Sequence, residues 1–152
     1  MTECKPVAFP FLSGIRFEDA STTPLVDSKL YRQLIGILLY INHTRIDISF
    51  AVGAFSRYMY EPHEIHWKVA KGIVRYVKGT SSFGIFYAAD CPHSLIGYID
   101  SNLVGDGIDC NSTSSYAFSL GSGPFCWSSK KQSMISLSTT EAEYRGAVNA
   151  AT

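Results

Sequence analysis

With 152 residues, 46% of them hydrophobic, the chain has enough apolar surface for one ordinary domain or two small ones, which excludes a disordered tail. Thirteen basic and thirteen acidic residues cancel, so overall charge makes no case for a nucleic-acid or membrane partner. The distribution says more: Arg57, Lys68, Lys71, Arg75 and Lys78 crowd the middle, whereas residues 90–129 hold four Asp and no Lys or Arg.

Residues 1–27, with Pro6, Pro10, Pro24 and Gly14 and no sustained period, read as an extended connector that drapes over something else. Asp27 or Ser28 can cap a first helix whose apolar positions Leu30, Leu34, Ile37, Leu38 and Ile41 recur at helical spacing, buried on most sides. Thr44-Arg45-Ile46-Asp47 forms a capping-box pattern before a second helix, with Ile48, Ala51, Val52, Phe55 and Met59 inward. Pro62 ends it. A third helix is expected over residues 64–78, with Trp67, Ala70, Ile73, Val74 and Val77 inward and Gly79 as its stop.

Lys68, Lys71, Arg75 and Lys78 follow at spacings of three and four, so they share one face of that helix. One reading is a solvated face that keeps an amphipathic helix soluble; the other is a row of contacts to a phosphate backbone, independent of base sequence and sensitive to salt. His63 and His66 are three apart and suggest zinc, but no third ligand follows at useful spacing.

Composition shifts near residue 90. A short strand is expected over residues 83–87, then a turn, then a strand over 95–100 in which Ile96, Tyr98 and Asp100 share one face and Leu95, Gly97 and Ile99 the other. Asp100 thus stands at a strand exit, where it either starts the turn at Ser101-Asn102 or holds a hard cation such as magnesium. After the loop Gly105-Asp106-Gly107-Ile108-Asp109, residues 115–120 and 125–128 alternate as two further strands, which makes an antiparallel meander. Ser138-Thr139-Thr140-Glu141 is a capping box that opens the last helix, with Tyr144, Ala147, Val148 and Ala151 expected to pack. Glu141 is therefore engaged at the cap, while Glu143 in the first turn has no such local task and could meet Asp100 at one metal.

Cys4, Cys91, Cys110 and Cys126 show no Cys-x-x-Cys spacing, and the amino terminus lacks the basic-then-apolar pattern of a signal peptide, which reads as reduced thiols in an intracellular protein of cytoplasm or nucleus. No apolar run approaches the roughly 20 residues that span a bilayer, so no membrane partner is expected.

Seven blocks, in order, resemble the Pol polyprotein of copia-type retrotransposons at the junction between reverse transcriptase and ribonuclease H. They are Leu30-Tyr31-Arg32-Gln33-Leu34-Ile35-Gly36, Thr44-Arg45-Ile46-Asp47-Ile48, His66-Trp67-Lys68-Val69-Ala70-Lys71, Arg75-Tyr76-Val77-Lys78-Gly79-Thr80, Gly97-Tyr98-Ile99-Asp100-Ser101, Trp127-Ser128-Ser129-Lys130-Lys131-Gln132 and residues 138–144. The resemblance implies an α+β chain in which residues 28–88 correspond to thumb and connection helices. Residues 93–152 would begin a ribonuclease H-like fold, a three-stranded meander plus helix that is incomplete.

Such enzymes cleave RNA in RNA–DNA hybrids with two Mg2+ or Mn2+ ions. The resemblance makes Asp100 the first catalytic carboxylate and metal ligand, and Glu143 the second, with Glu141 as runner-up; Glu143-Tyr144-Arg145-Gly146 is the closer fit to the family's Glu-x-x-Ala. It names an RNA–DNA hybrid and the remaining Pol segments as partners. The departures weigh against activity. The polymerase's paired aspartates are absent, the third and fourth nuclease carboxylates would lie beyond Thr152, and Asn102, Leu103, Cys110, Asn111 and Ser115 stand where the family usually has Asp, Trp, Arg, Lys and Gly. The expectation is an inactive fragment. The alternatives are a non-enzymatic nucleic-acid-binding module and, fitting less well, a protein labelled as a secreted effector, for which Arg32-Gln33-Leu34-Ile35 misses Arg-x-Leu-Arg at its last position.

Overall fold

Asp27 starts the first helix: its side chain accepts from the backbone N–H groups of Lys29 at 2.7 Å and Leu30 at 3.3 Å, satisfying two donors that a first turn leaves open. In the computed structural model, which describes residues 4–11, 22–92, 94–102, 112–132 and 135–151, this helix is α1, Ser28–Ile41. A 3-10 turn, Ile46–Ile48, leads into α2, Ser49–Ser56, and α3 spans Glu64–Gly79. The strands are β1 (Leu95–Asn102), β2 (Thr113–Leu120) and β3 (Gly123–Lys131), followed by α4 (Thr139–Ala151). Three helices, an antiparallel sheet and a final helix make the α+β class read from the sequence, and the chain divides into two compact units, Met1–Gly84 and Ile85–Thr152. The loop 103–111, the segment around Gly14 and Cys110 lie outside the described residues.

In the first unit the core is built from Tyr31, Ile35 and Leu38 of α1, Ile48, Ala51, Val52 and Phe55 around α2, and Val69, Ala70, Ile73 and Tyr76 of α3. The period expected for α1 is right but its phase is one residue off: Leu30 and Ile37 are exposed and Tyr31 and Ile35 are buried. Tyr31 decides this, because its buried hydroxyl donates to the Phe55 carbonyl at 2.8 Å and so anchors the opposite side of the helix. In α3, likewise, His66, Val69 and Tyr76 line the core while Trp67, Val74 and Val77 are only partly buried against it. The Thr44 capping box does not form; the turn before α2 has no side-chain cap, because Asp47 is held by Arg45 and Tyr76 instead. Segment 22–26 is fastened to the start of α3 by Val26 N to Pro62 O at 2.9 Å and Glu64 N to Pro24 O at 2.8 Å.

In the second unit β2 lies between β1 and β3, with Leu95 opposite Leu120 and Asn102 opposite Thr113. The strands are longer than the sequence pattern suggests because the hairpin turn is only Gly121-Ser122, with Gly121 at φ 69°, a conformation that costs glycine little. Pro124 is accommodated on edge strand β3 where the register shifts between Phe118 and Ser119. The strand expected over residues 83–87 does not form. Its carboxyl-terminal part binds the hairpin through single contacts, Tyr87 Oη donating to Pro124 O at 2.6 Å and Ala88 N to Ser122 Oγ at 2.7 Å.

The packing face of α4 also differs from expectation. Ala142 and Gly146 are buried, whereas Tyr144 is 71% exposed and Val148 44%. Small residues win here because the helix sits too close to the sheet for anything larger: a Cβ on Gly146 would collide with Ser101 Oγ and lie 3.4 Å from Ile99 Cγ2.

Candidate nucleic-acid interface and carboxylate pair

The contact of Gly146 with Ile99 and Ser101 fixes which face of the sheet α4 covers. Side chains alternate along an unbroken strand, so Asp100 is directed to the opposite face, in a row with Ser115 and Ser129, whose hydroxyls are 3.0 Å apart. Asp100 and Glu143 are both exposed. Glu141 is fully engaged: it accepts from Leu137 N at 2.9 Å and pairs with Arg145 at 2.7 Å, while Ser138 Oγ accepts from Glu141 N at 3.1 Å. The Leu137 N–H and then Arg145 hold the Glu141 carboxyl below its usual range. Ser138 therefore caps α4 as read from the sequence, but the Glu141 carboxylate takes the Leu137 N–H rather than that of Ser138, so only half of the capping box forms; Glu143 follows just after the first turn. Among the described residues no group of three or more His, Cys, Asp or Glu is gathered that could hold a metal ion.

The histidine pair is likewise spoken for. His63 Nδ1 donates to Thr23 O at 2.6 Å, and His66 Nδ1 accepts from His63 N at 3.0 Å. His66 is stacked on Tyr58 with centroids 3.8 Å apart, and burial lowers its pKa to about 4.

On α3 each of the four cations has a different neighbour. Lys68 is offset by Glu64, its Nζ 3.2 Å from the carboxylate one turn back. Lys71 lies over the Trp67 ring, 4.9 Å from its centroid. Arg75 Nε donates to Lys5 O at 2.6 Å, and Lys78 Nζ to Cys4 O at 3.0 Å. The amino-terminal segment thus lies along this face, with Val7 and Phe11 packed against the core beneath it.

Sequence reading missed two polar networks. Arg45, only 7% exposed, grips Asp47 through two bonds of 2.9 and 2.7 Å and reaches Thr80 O at 2.9 Å and Thr80 Oγ1 at 2.6 Å, so a cation sits at the carboxyl end of α3 where the helix dipole favours it. Arg45 and, to a lesser degree, the Tyr76 hydroxyl hold the Asp47 carboxyl below its ordinary range. In the second unit Gln132 donates to Ser114 Oγ at 2.6 Å and Ala142 O at 2.9 Å and accepts from Ser136 Oγ at 2.8 Å, while Ser101 and Ser114 hydroxyls meet at 3.0 Å. This chain of hydroxyls and one amide fixes the first turn of α4 on the sheet. A buried Arg in a Thr-Arg-Ile-Asp turn was the one available signal for the first network. Nothing local signals the second.

Fold and surface define an α+β chain that joins a helical unit with a basic face to a small sheet unit carrying exposed carboxylates. Relatives give the family. The chain is 42% identical over 149 residues to the retrovirus-related Pol polyprotein from transposon RE2 of Arabidopsis thaliana, a match covering 98% of this chain and 10% of that protein. It is 34% identical over 151 residues to the Pol polyprotein from transposon TNT 1-94 of Nicotiana tabacum, covering 95% of this chain and 11% of that protein. It is also 37% identical over 115 residues to secreted RxLR effector protein 161 of Plasmopara viticola, covering 75% of this chain and 81% of that protein. Over nearly its whole length the chain is homologous to copia-type retrotransposon Pol polyproteins, and it spans about a tenth of the length of those it matches. No protein-family model and no solved structure matches it. No helix among the described residues is long and apolar enough to cross a membrane. Arg32-Gln33-Leu34-Ile35 lies inside α1, with Arg32 Nη2 donating to Ser28 Oγ at 3.1 Å.

Proposed function

We propose that the chain comes from the stretch of a copia-type Pol polyprotein where reverse transcriptase passes into ribonuclease H, and that by itself it contacts nucleic acid without cleaving it. Residues 28–88 are the thumb and connection helices in this reading, and residues 93–152 the amino-terminal part of the nuclease. The observation that carries it is an antiparallel meander whose first strand carries Asp100, covered by a helix that carries Glu143 just after its first turn. The expectation that it does not cleave is supported by the setting of these groups: both are exposed, and Asp100 is directed away from the face that α4 covers.

The second reading, a non-enzymatic binding module, is favoured by α3. Its row of four cations lies on a unit whose described acids are Asp27, Asp47, Glu61 and Glu64, and of these Asp47 is taken by Arg45 and Glu64 by Lys68. The two readings meet in one experiment. Purified chain is incubated with a labelled RNA–DNA hybrid and Mg2+ or Mn2+, beside Asp100→Asn and Glu143→Gln. Binding with an intact RNA strand in all three supports the proposal. Cleavage by the unaltered chain that is lost in both variants would make it a nuclease and refute the second half of the proposal.

A further inference from the structure

Helix α1 carries two apolar stripes, and the core uses one of them. Tyr31, Ile35 and Leu38 are buried. Leu30, Leu34, Ile37 and Ile41, positions that periodicity selects, run beside them as a second stripe, with Leu30 51% and Ile37 58% exposed and Leu34 and Ile41 only partly buried. Gln33 and Tyr40, both exposed, widen this stripe on its outer side. Spacings of four, three and four residues are those of a helix-pair seam, in which each side chain enters a hole on a facing helix. Such a row on a helix already packed along its other stripe is a surface for a further helix.

Pattern and charge set what the facing helix is. Turned end for end about a two-fold axis between Leu34 and Ile37, α1 meets its own copy with Leu34 against Ile37 of that copy and Leu30 against Ile41, so each level of the seam is apolar on apolar. The charged residues of α1, Lys29 and Arg32, both lie in its first half, and its last turn holds no basic residue. Arg32 is folded back on Ser28, with Nε donating to Ser28 O and Nη2 to Ser28 Oγ, each at 3.1 Å. Lys29 is exposed one turn before Gln33, on the flank of the stripe. An antiparallel copy brings Lys29 to the carboxyl end of the facing helix, where the dipole favours a cation; a parallel copy would set Lys29 against Lys29.

We infer that the outward stripe of α1 is a self-association surface, on which a second copy of this chain packs its own α1 antiparallel. These six side chains are few beside the roughly 20–30 residues a side of a standard interface, so the dimer is reversible and its population follows protein concentration. It needs no nucleic acid and is read in its absence.

The test is sedimentation velocity of the full chain from about 5 to about 500 µM, where a monomer–dimer equilibrium is expected. Leu30→Lys and Ile37→Lys should each weaken it at least about tenfold, since a substitution in a two-fold interface acts twice. Both positions are exposed, so the core is untouched and the far-ultraviolet circular dichroism should not change. Lys29→Ala should weaken association about fivefold, counting both ends of the pair. Leu95→Lys, on the exposed β1, should leave it unchanged. A chain that stays monomeric to the top of the range overturns the inference, as does a dimer that survives both Leu30→Lys and Ile37→Lys, or one that Leu95→Lys dissociates in their place. Tighter association of Lys29→Ala would contradict the antiparallel arrangement.

Discussion

The two units bury different chemistry. Every buried hydrophobic side chain among the described residues except Ala142 lies in the helical unit, where Tyr31, Phe55, Ile35 and Ile73 are almost wholly out of water. The sheet unit buries Ser112, Ser114, Gln132 and Ser136, while Leu95, Ile96, Tyr98 and Ile99 of β1 all stay exposed. The helical unit is thus held mainly by non-directional burial, with one buried polar network around Arg45. The sheet unit is held by directional hydrogen bonds and by a close helix contact, which do not tolerate small shifts.

If that contrast is right, damage should stay within the unit that receives it. The largest effect is expected for Phe55→Ala, about 4 kcal/mol of destabilisation in urea unfolding, seen in the Trp67 signal of the helical unit. Equal loss in a Trp127 signal would mean the units unfold as one. Arg45→Met should cost about 3 kcal/mol by the same measurement, because it strands a partly buried carboxylate and the Thr80 carbonyl. A loss under 1 kcal/mol would show that water replaces the guanidinium at little cost.

In the sheet unit, Gly146→Ala should cost about 2 kcal/mol by driving α4 off Ser101, and Ser101→Gly in the same chain should restore most of it. Failure of that rescue would place the strain elsewhere. Gln132→Leu should cost about 1–2 kcal/mol and raise amide exchange in the first turn of α4 while leaving α3 unchanged.

A pH dependence sharpens the comparison further, since it belongs to the helical unit. His66 is neutral in the fold with its pKa lowered to about 4 by burial, against about 6.5 unfolded. The unfolded chain therefore takes up a proton first on acidification, so stability present above pH 6.5 is lost progressively as pH falls toward 4. His66→Gln, which can still accept from His63 N, should flatten that slope in the helical unit; an unchanged slope would assign it to another group.

What could be read from the sequence was local. The caps at Asp27 and Ser138, the existence of α1, α3 and the meander, and the engagement of Glu141 all depend on residues within a few positions of each other. Phase was less legible. The run Leu38-Leu39-Tyr40-Ile41 offers an apolar residue to every side of a helix, so period survives while the inward face is left open, and Tyr31 settled it through a carbonyl 24 residues away. The α4 face misled for the opposite reason: Tyr144 and Val148 are the more hydrophobic, but only Ala142 and Gly146 are small enough for the distance to β1. For the site, the basic row on α3 and the two carboxylates were legible as residues. Which cation is offset, which is held by the amino-terminal segment, and which face Asp100 takes are matters of tertiary contact that no spacing records.

In the proposed reading the helical unit meets nucleic acid, and the sheet unit carries Asp100 and Glu143 as exposed carboxylates. Amide hydrogen exchange of the chain with and without an RNA–DNA hybrid, in the presence of Mg2+, tests this most directly. It predicts slowed exchange in residues 4–11 and α3 on adding the hybrid, with β1 and α4 unchanged. Protection centred on β1 and α4, with residues 4–11 and α3 unaffected, would contradict it.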